Sequence, residues 1–304
     1  MAKRNPMQNY PSSKDDFDRV ASRPDTLQTM SPSYRLSFAD IDFMTREELR
    51  PIRLQLELLK PELIQQERGI NATVVVFGSS RIPEEEEARR RLAEVEQLAR
   101  QAPQDQILQK KVKVAERIAA KSKYYEEAKK LGEMLSTICH KKTNCSLVVI
   151  TGGGPGIMEA ANRGAHESGA ETIGLNIVLP HEQAPNHYIT PDLCFQFHYF
   201  SIRKMHFLLR AQALVAFPGG FGTLDELFET LTLIQTTKIK PLPVLLFGRE
   251  FWEKLIDFDY MVDEGVISPQ DINIFRYVET AEEATEIIKD FFNRSPENGN
   301  GERK

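Results

Sequence analysis

Thr73-Val74-Val75-Val76-Phe77-Gly78, followed by Ser79 and Ser80, is a continuously apolar, β-branched run that stops abruptly at glycine and hydroxyl residues. No polar residue alternates within it, so a strand made from it is buried on both faces, as in a parallel sheet. Shorter runs of the same kind recur at Leu147–Ile150, Thr172–Ile177, Ala213–Phe217 and Pro243–Phe247. Leu193–Phe197 reads as a further strand and Arg276–Val278 as an edge. Between them the apolar spacing becomes helical at Ile157–Ser168, Ile202–Arg210, Leu224–Thr236, Phe251–Glu264 and Ala281–Phe292.

Strands alternating with amphipathic helices predict an α/β, Rossmann-like, doubly wound and mostly parallel sheet with helices on both faces, preceded by a helical extension. Residues 1–40 mix Pro, Ser, Asp and Lys without period and read as a flexible arm. Thr45 and Glu48 match a capping box, after which Leu49, Ile52, Leu56, Leu59 and Leu63 recur at helical spacing. That helix must pack on the main core or on a partner subunit. A charged helical stretch from about Pro83 to Cys139, broken near Pro103, reads as an insertion over about 83–140, with Glu84–Glu87 suited to the positive pole of a helix start. The expected organisation is 1–70 arm and helix, 71–292 nucleotide-binding domain, and 293–304 a polar, disordered tail.

The 304 residues carry a net charge of −5, with a sequence pI near 5.8, which argues against broad nucleic-acid binding. Cys139, Cys145 and Cys194 form no CxxC pair, and their odd number does not suit a disulfide framework. His140, His166, His181, His187, His198 and His206 show no HxH or HExxH spacing, so no metal is expected. Met1–Val20 has no apolar core and no run is long enough to span a bilayer, so the expectation is a cytoplasmic protein without membrane partners.

In an open parallel sheet the ligand sits beyond the carboxyl ends of the strands, so the residues just after each strand carry the chemistry. Thr151-Gly152-Gly153-Gly154-Pro155-Gly156 leads from a strand into a helix and suits close approach of an anion, although it lacks the third glycine of the dinucleotide fingerprint. Pro218-Gly219-Gly220-Phe221-Gly222-Thr223-Leu224-Asp225-Glu226 repeats the arrangement. A capping box would explain Thr223 and Glu226 but not three glycines within four residues before them, which favour a phosphate cradle. Arg203 and Lys204 place two cations near a helix start, where the dipole disfavours them unless an anion is bound.

These three segments, in this order and spacing, resemble the LOG family of phosphoribohydrolases, which release free cytokinin or adenine from the 5′-monophosphate and are often labelled "lysine decarboxylase". The resemblance runs from about Thr73 to Phe292. It implies catalytic roles for Arg203 and Glu226 and a substrate- and phosphate-binding set of Gly153, Gly154, Gly156, Lys204, Gly219, Gly220, Phe221, Gly222 and Thr223. Ser79 would line the cleft, and Thr232 and Glu182 would be further substrate contacts. Glu226 would stabilise the ribosyl cation and orient water, and Arg203 would face the base or ribose, or alternatively the phosphate. Phe200-Ser201-Ile202 replaces the plant-type Met-His-x and the helical insertion is long, features closer to the larger bacterial members, which favours AMP or a similar purine monophosphate over cytokinin. The resemblance implies a homodimer or larger homo-oligomer and no cofactor. Decarboxylation would need a pyridoxal-phosphate lysine, for which the sequence offers no setting. The competing readings are a nucleotide or molybdenum-cofactor carrier of the same fold, and a nucleotide sensor.

Overall fold

The computed structural model describes residues 10–138, 146–180 and 184–294. The chain divides into two units, Met1–Glu57 and Leu58–Lys304. In the first, α1 (Ser13–Ala21) opens on a capping box between Ser12 and Asp15 and α2 (Ile41–Met44) is capped by Asp40. The expected arm therefore contains helix, although α1 buries no side chain. The expected capping box at Thr45 does not form. Thr45 closes α2, its hydroxyl donating to the Ile41 carbonyl at 2.8 Å, while Glu48 pairs with Arg46. Helix α3 (Arg50–Glu67) begins afterwards and runs across the division. Its Ile52, Leu56, Leu59 and Leu63 remain about half exposed.

In the second unit, among the described residues, seven strands form one sheet in the order β4-β3-β2-β1-β5-β6-β7. They are β1 (Thr73–Phe77), β2 (Val148–Thr151), β3 (Thr172–Ile177), β4 (Cys194–Phe197), β5 (Ala211–Ala216), β6 (Val244–Phe247) and β7 (Phe275–Val278), and every pairing is parallel. The helices are α4 (Glu85–Gln101), α5 (Gln106–Ala119), α6 (Lys123–Ser136), α7 (Ile157–Glu167), α8 (Phe200–Leu208), α9 (Phe221–Gln235), α10 (Arg249–Leu255), α11 (Phe258–Asp263) and α12 (Ala281–Arg294). The insertion breaks at Pro103 as expected and again before Ser122. The single helix expected over Phe251–Glu264 is two, because Asp257 caps α11 by accepting from the Tyr260 amide at 2.9 Å.

The continuous run of β1 is explained by its two partners in packing. Val74 and Val76 face Leu131 and Leu135 of α6, Ala161 of α7 and Ile288 of α12, while Val75 and Phe77 face Phe207 of α8, Leu227 of α9 and Trp252 of α10. The three valines are fully buried, each burial contributing about 1.5–3 kcal/mol. Helices α6 and α7 meet backbone to backbone: a Cβ on Gly164 would lie 1.8 Å from the Lys129 carbonyl oxygen. At the other end of the sheet Arg210 donates twice to Glu62, at 2.7 Å each, and once to the Ile70 carbonyl, which ties the end of α3 to the start of β5.

Candidate active site

Strand order reverses at β1, which lies between β2 and β5, so the crevice opens where Gly78, Ser79 and Ser80 leave the sheet. Backbone hydrogen bonds stitch this segment to the turns on either side. The Ser79 amide donates to the Pro218 carbonyl at 3.0 Å, and the Ile157 amide donates to the Ser79 carbonyl at 3.2 Å. Two glycine-rich helix starts, α7 and α9, are thereby held beside the same strand end.

The turn into α7 is clamped from beneath. The Gly153 amide donates to Thr151 Oγ1, which donates to buried Asn162 Oδ1 at 2.7 Å. Asn186 Nδ2 donates to the Gly153 and Gly154 carbonyls and to Asn162 Oδ1. Gly153 and Gly156 have φ of 76° and 73°, where a side chain is strained, and a Cβ on either would strike Asn176 or the Ser79 carbonyl. Both glycines therefore shape the turn. Gly154 lines the cavity itself, with Gly152, Met158 and Asn176.

On the other side Gly220 caps α9 and the helix starts at Phe221, so Thr223 sits inside the first turn and does not form the capping box that its spacing with Glu226 allows. Thr223 is buried, and a Cβ on Gly219 would lie 2.1 Å from its hydroxyl. A cavity of about 790 Å³ spans Ser79, Gly219, Gly220, Phe221, Gly222, Thr223, Arg203 and Glu226, within the range of small-molecule sites. A second, of about 800 Å³, adjoins it across Arg203 and Phe200 and reaches the turn at Gly152 and Gly154.

Arg203 projects from α8 between the two cavities. Its Nε donates to the Leu175 carbonyl at 2.7 Å and its guanidinium lies over the rings of Phe207 and Phe200, at 5.1 and 6.0 Å. Burial pushes its pKa below the ordinary value, and the Glu226 charge works the other way. Glu226, 7% exposed, is pushed up to about 7 by burial, against the pull of Lys204 and Arg203. A carboxyl group in that state exchanges its proton near neutrality, which suits acid–base and cation-stabilising chemistry.

Lys204 is not available to a phosphate in the way its sequence position suggests. Its ammonium bridges Asp225 at 2.9 Å and Glu229 at 2.8 Å on α9. The two cations near the start of α8 are thus accommodated by carboxylates and by aromatic and carbonyl groups.

A protein-family model described as "Possible lysine decarboxylase" matches residues 158–288. The cytokinin riboside 5′-monophosphate phosphoribohydrolase LOG4 of Arabidopsis thaliana is 31% identical over 180 residues, 58% of this chain and 78% of that protein. Its paralogue LOG3 is 30% identical over 175 residues, 56% of this chain and 77% of that protein. The chain belongs to the LOG family. A solved Moco carrier protein from Chlamydomonas reinhardtii aligns with 74% of this chain and 99% of its own at 18% identity, with a TM-score of 0.43, too low to bear on function.

Of the LOG-type residues expected from sequence, the crevice brings together Ser79, Gly154, Arg203, Gly219, Gly220, Phe221, Gly222, Thr223 and Glu226. Thr232 is not among the residues lining it. Six positions beyond Glu226 on α9, it lies about 120° around the helix from that residue, and its hydroxyl donates to the Phe228 carbonyl at 2.7 Å. Glu182 lies outside the described residues. Sequence reasoning missed Arg81, Met158, Phe200, the α5 residues Val114, Arg117 and Ile118, and Lys121 just past α5, all of which line the site. Arg81 was within reach of the rule that strand ends carry ligands. The α5 residues gave no local signal, since helical spacing does not reveal what a helix covers.

Proposed function

We propose that this chain hydrolyses the N-glycosidic bond of a purine nucleoside 5′-monophosphate, AMP or a cytokinin-type ribotide, to free base and ribose 5-phosphate. The observation that carries this reading is Glu226, a buried carboxyl group poised near neutrality one turn past a glycine-rich helix start, sharing its cavity with Arg203. The names of the LOG relatives support the same chemistry.

In this reading the start of α9, with Gly220, Gly222 and Thr223, receives the 5′-phosphate on its free amides. The bond between C1′ and the base nitrogen breaks with its electron pair leaving on the base, and positive charge spreads over C1′ and the ring oxygen. Ionised Glu226 stabilises that charge and orients a water whose oxygen bonds to C1′. The water's proton passes to Glu226 and from it to solvent, and the base takes up one proton from solvent as it leaves, so that one water is consumed and the carboxylate is restored. Arg203, permanently charged, offsets the negative charge developing on the base. Lys204 holds α8 to α9 and moderates the cost of ionising Glu226. A carrier of the same fold would need the glycine turns but not a buried acid beside them.

The test is base release, followed by chromatography, from AMP, GMP, CMP, IMP, dAMP and isopentenyladenosine monophosphate. Wild type should free a base with ribose 5-phosphate, while folded Glu226→Gln and Arg203→Ala lose roughly 100-fold or more in turnover. Nucleotide that binds and stays intact on wild type would overturn the hydrolase reading in favour of a carrier or sensor.

A further inference from the structure

The insertion between β1 and α6 turns one face of α5 toward the site. Val114, Arg117 and Ile118, at a spacing of three and four residues, lie on one face of α5 and line the cavity that holds Gly219–Glu226, as does Lys121 in the turn just past the helix end. On the neighbouring helix, Ala88 and Arg91 of α4 line the adjoining cavity, which Ile118 shares. The α4–α5 hairpin is therefore a wall of the crevice.

The charges in this cavity do not match the ligand that its glycine turn suits. The first turns of α9 offer amides to an anion but also carry Asp225 and Glu226, which repel one. Lys204 is bound to Asp225 and Glu229, and Arg203 donates to the Leu175 carbonyl. Arg117 and Lys121 line the same cavity as that turn, and among the described residues neither enters an ion pair. Among the described residues Lys121 donates to the Arg117 carbonyl, at 3.4 Å, and acts on Glu250 through its field.

We propose that Arg117 and Lys121 of the insertion are phosphate-recognition residues, which clasp the 5′-phosphate of the nucleotide from the side opposite the Gly219–Thr223 turn. Ile118, between them in sequence, covers the sugar. The proposal rests on the nucleotide reading of the site and deepens it: the insertion selects for the phosphorylated form of the substrate over the free nucleoside.

The experiment measures equilibrium binding of AMP, ribose 5-phosphate and adenosine to the full chain, separately from turnover. In the double variant R117A/K121A, affinity for AMP and ribose 5-phosphate should fall roughly tenfold or more, with adenosine unchanged. The pair R117K/K121R should retain most of the affinity. The variant K110A/K113A removes the same charge from exposed positions of the same hairpin and should bind as wild type does. AMP affinity within twofold of wild type in R117A/K121A would overturn the proposal, as would equal losses for AMP and adenosine, which would make the face a packing surface only. Wild type that binds AMP through Arg117 and Lys121 but releases no base would leave this proposal standing and remove the hydrolase reading. Wild type that binds no AMP removes both.

Discussion

Replacing Glu226 by glutamine should change the pH dependence of stability, and the size of the change follows from the burial of this group. Its carboxyl pKa rises from the ordinary 4.5 to about 7 on folding, chiefly because burial disfavours the charge. Below pH 4.5 the acid is protonated in both states and costs nothing. Between 4.5 and about 7 the unfolded chain ionises while the folded chain keeps its proton, so stability falls as pH rises, and the loss levels off above 7. The full gap corresponds to about 3 kcal/mol, of which about 2.5 kcal/mol develops between pH 5 and pH 8. Glutamine does not titrate. The stability of Glu226→Gln relative to wild type should therefore rise by about 2.5 kcal/mol over that interval, measured by urea denaturation with the slope held in common. Parallel pH profiles for the two proteins would refute the reasoning, because they would show a carboxylate that stays hydrated and needs no help to ionise.

Lys204→Met removes the largest influence holding the Glu226 charge in place, so the ionisation of Glu226 should move to higher pH. The rising limb of the pH profile of kcat/KM should follow it, and a limb that stays put would count against Lys204 as a positioning residue. Gly164→Ala drives a methyl group into the Lys129 carbonyl and should cost about 2–3 kcal/mol by thermal or urea unfolding. Gly169→Ala, where a Cβ meets nothing within 4 Å, should cost only about 1–2 kcal/mol for its positive φ, and equal losses at the two positions would contradict the close helix contact.

The strands were legible because they are buried on both faces. Thr73–Phe77 and Thr172–Ile177 carry so little polar alternation that only a covered parallel sheet suits them, and their limits in the structure agree with the runs. The glycine turns were legible for a related reason, since glycines packed between a strand and a helix have few uses other than close approach. What was not legible depended on partners distant in sequence. Thr45 and Glu48 form a sound local cap signal, yet Thr45 serves the helix before it. Lys204 reads as a phosphate ligand until Asp225 and Glu229 are placed beside it. The break before Ser122 and the direction of α5 depend on the packing of a whole hairpin, which periodicity within one helix does not encode.

The position of β1 at the middle of the sheet also governs how the molecule can be made. Its two neighbours pair Thr73 with Val148 on one side and with Ala211 on the other. During synthesis this central strand emerges before both its neighbours and waits for more than a hundred residues before its second edge can be covered. Contacts of such long sequence separation slow folding and leave an adhesive edge exposed in the interval. The crevice draws on segments on both sides of β1, so nucleotide affinity should be absent from any fragment that ends before β5 and α9. Recovery of binding during refolding would therefore report the closing of the sheet's centre rather than the formation of its helices.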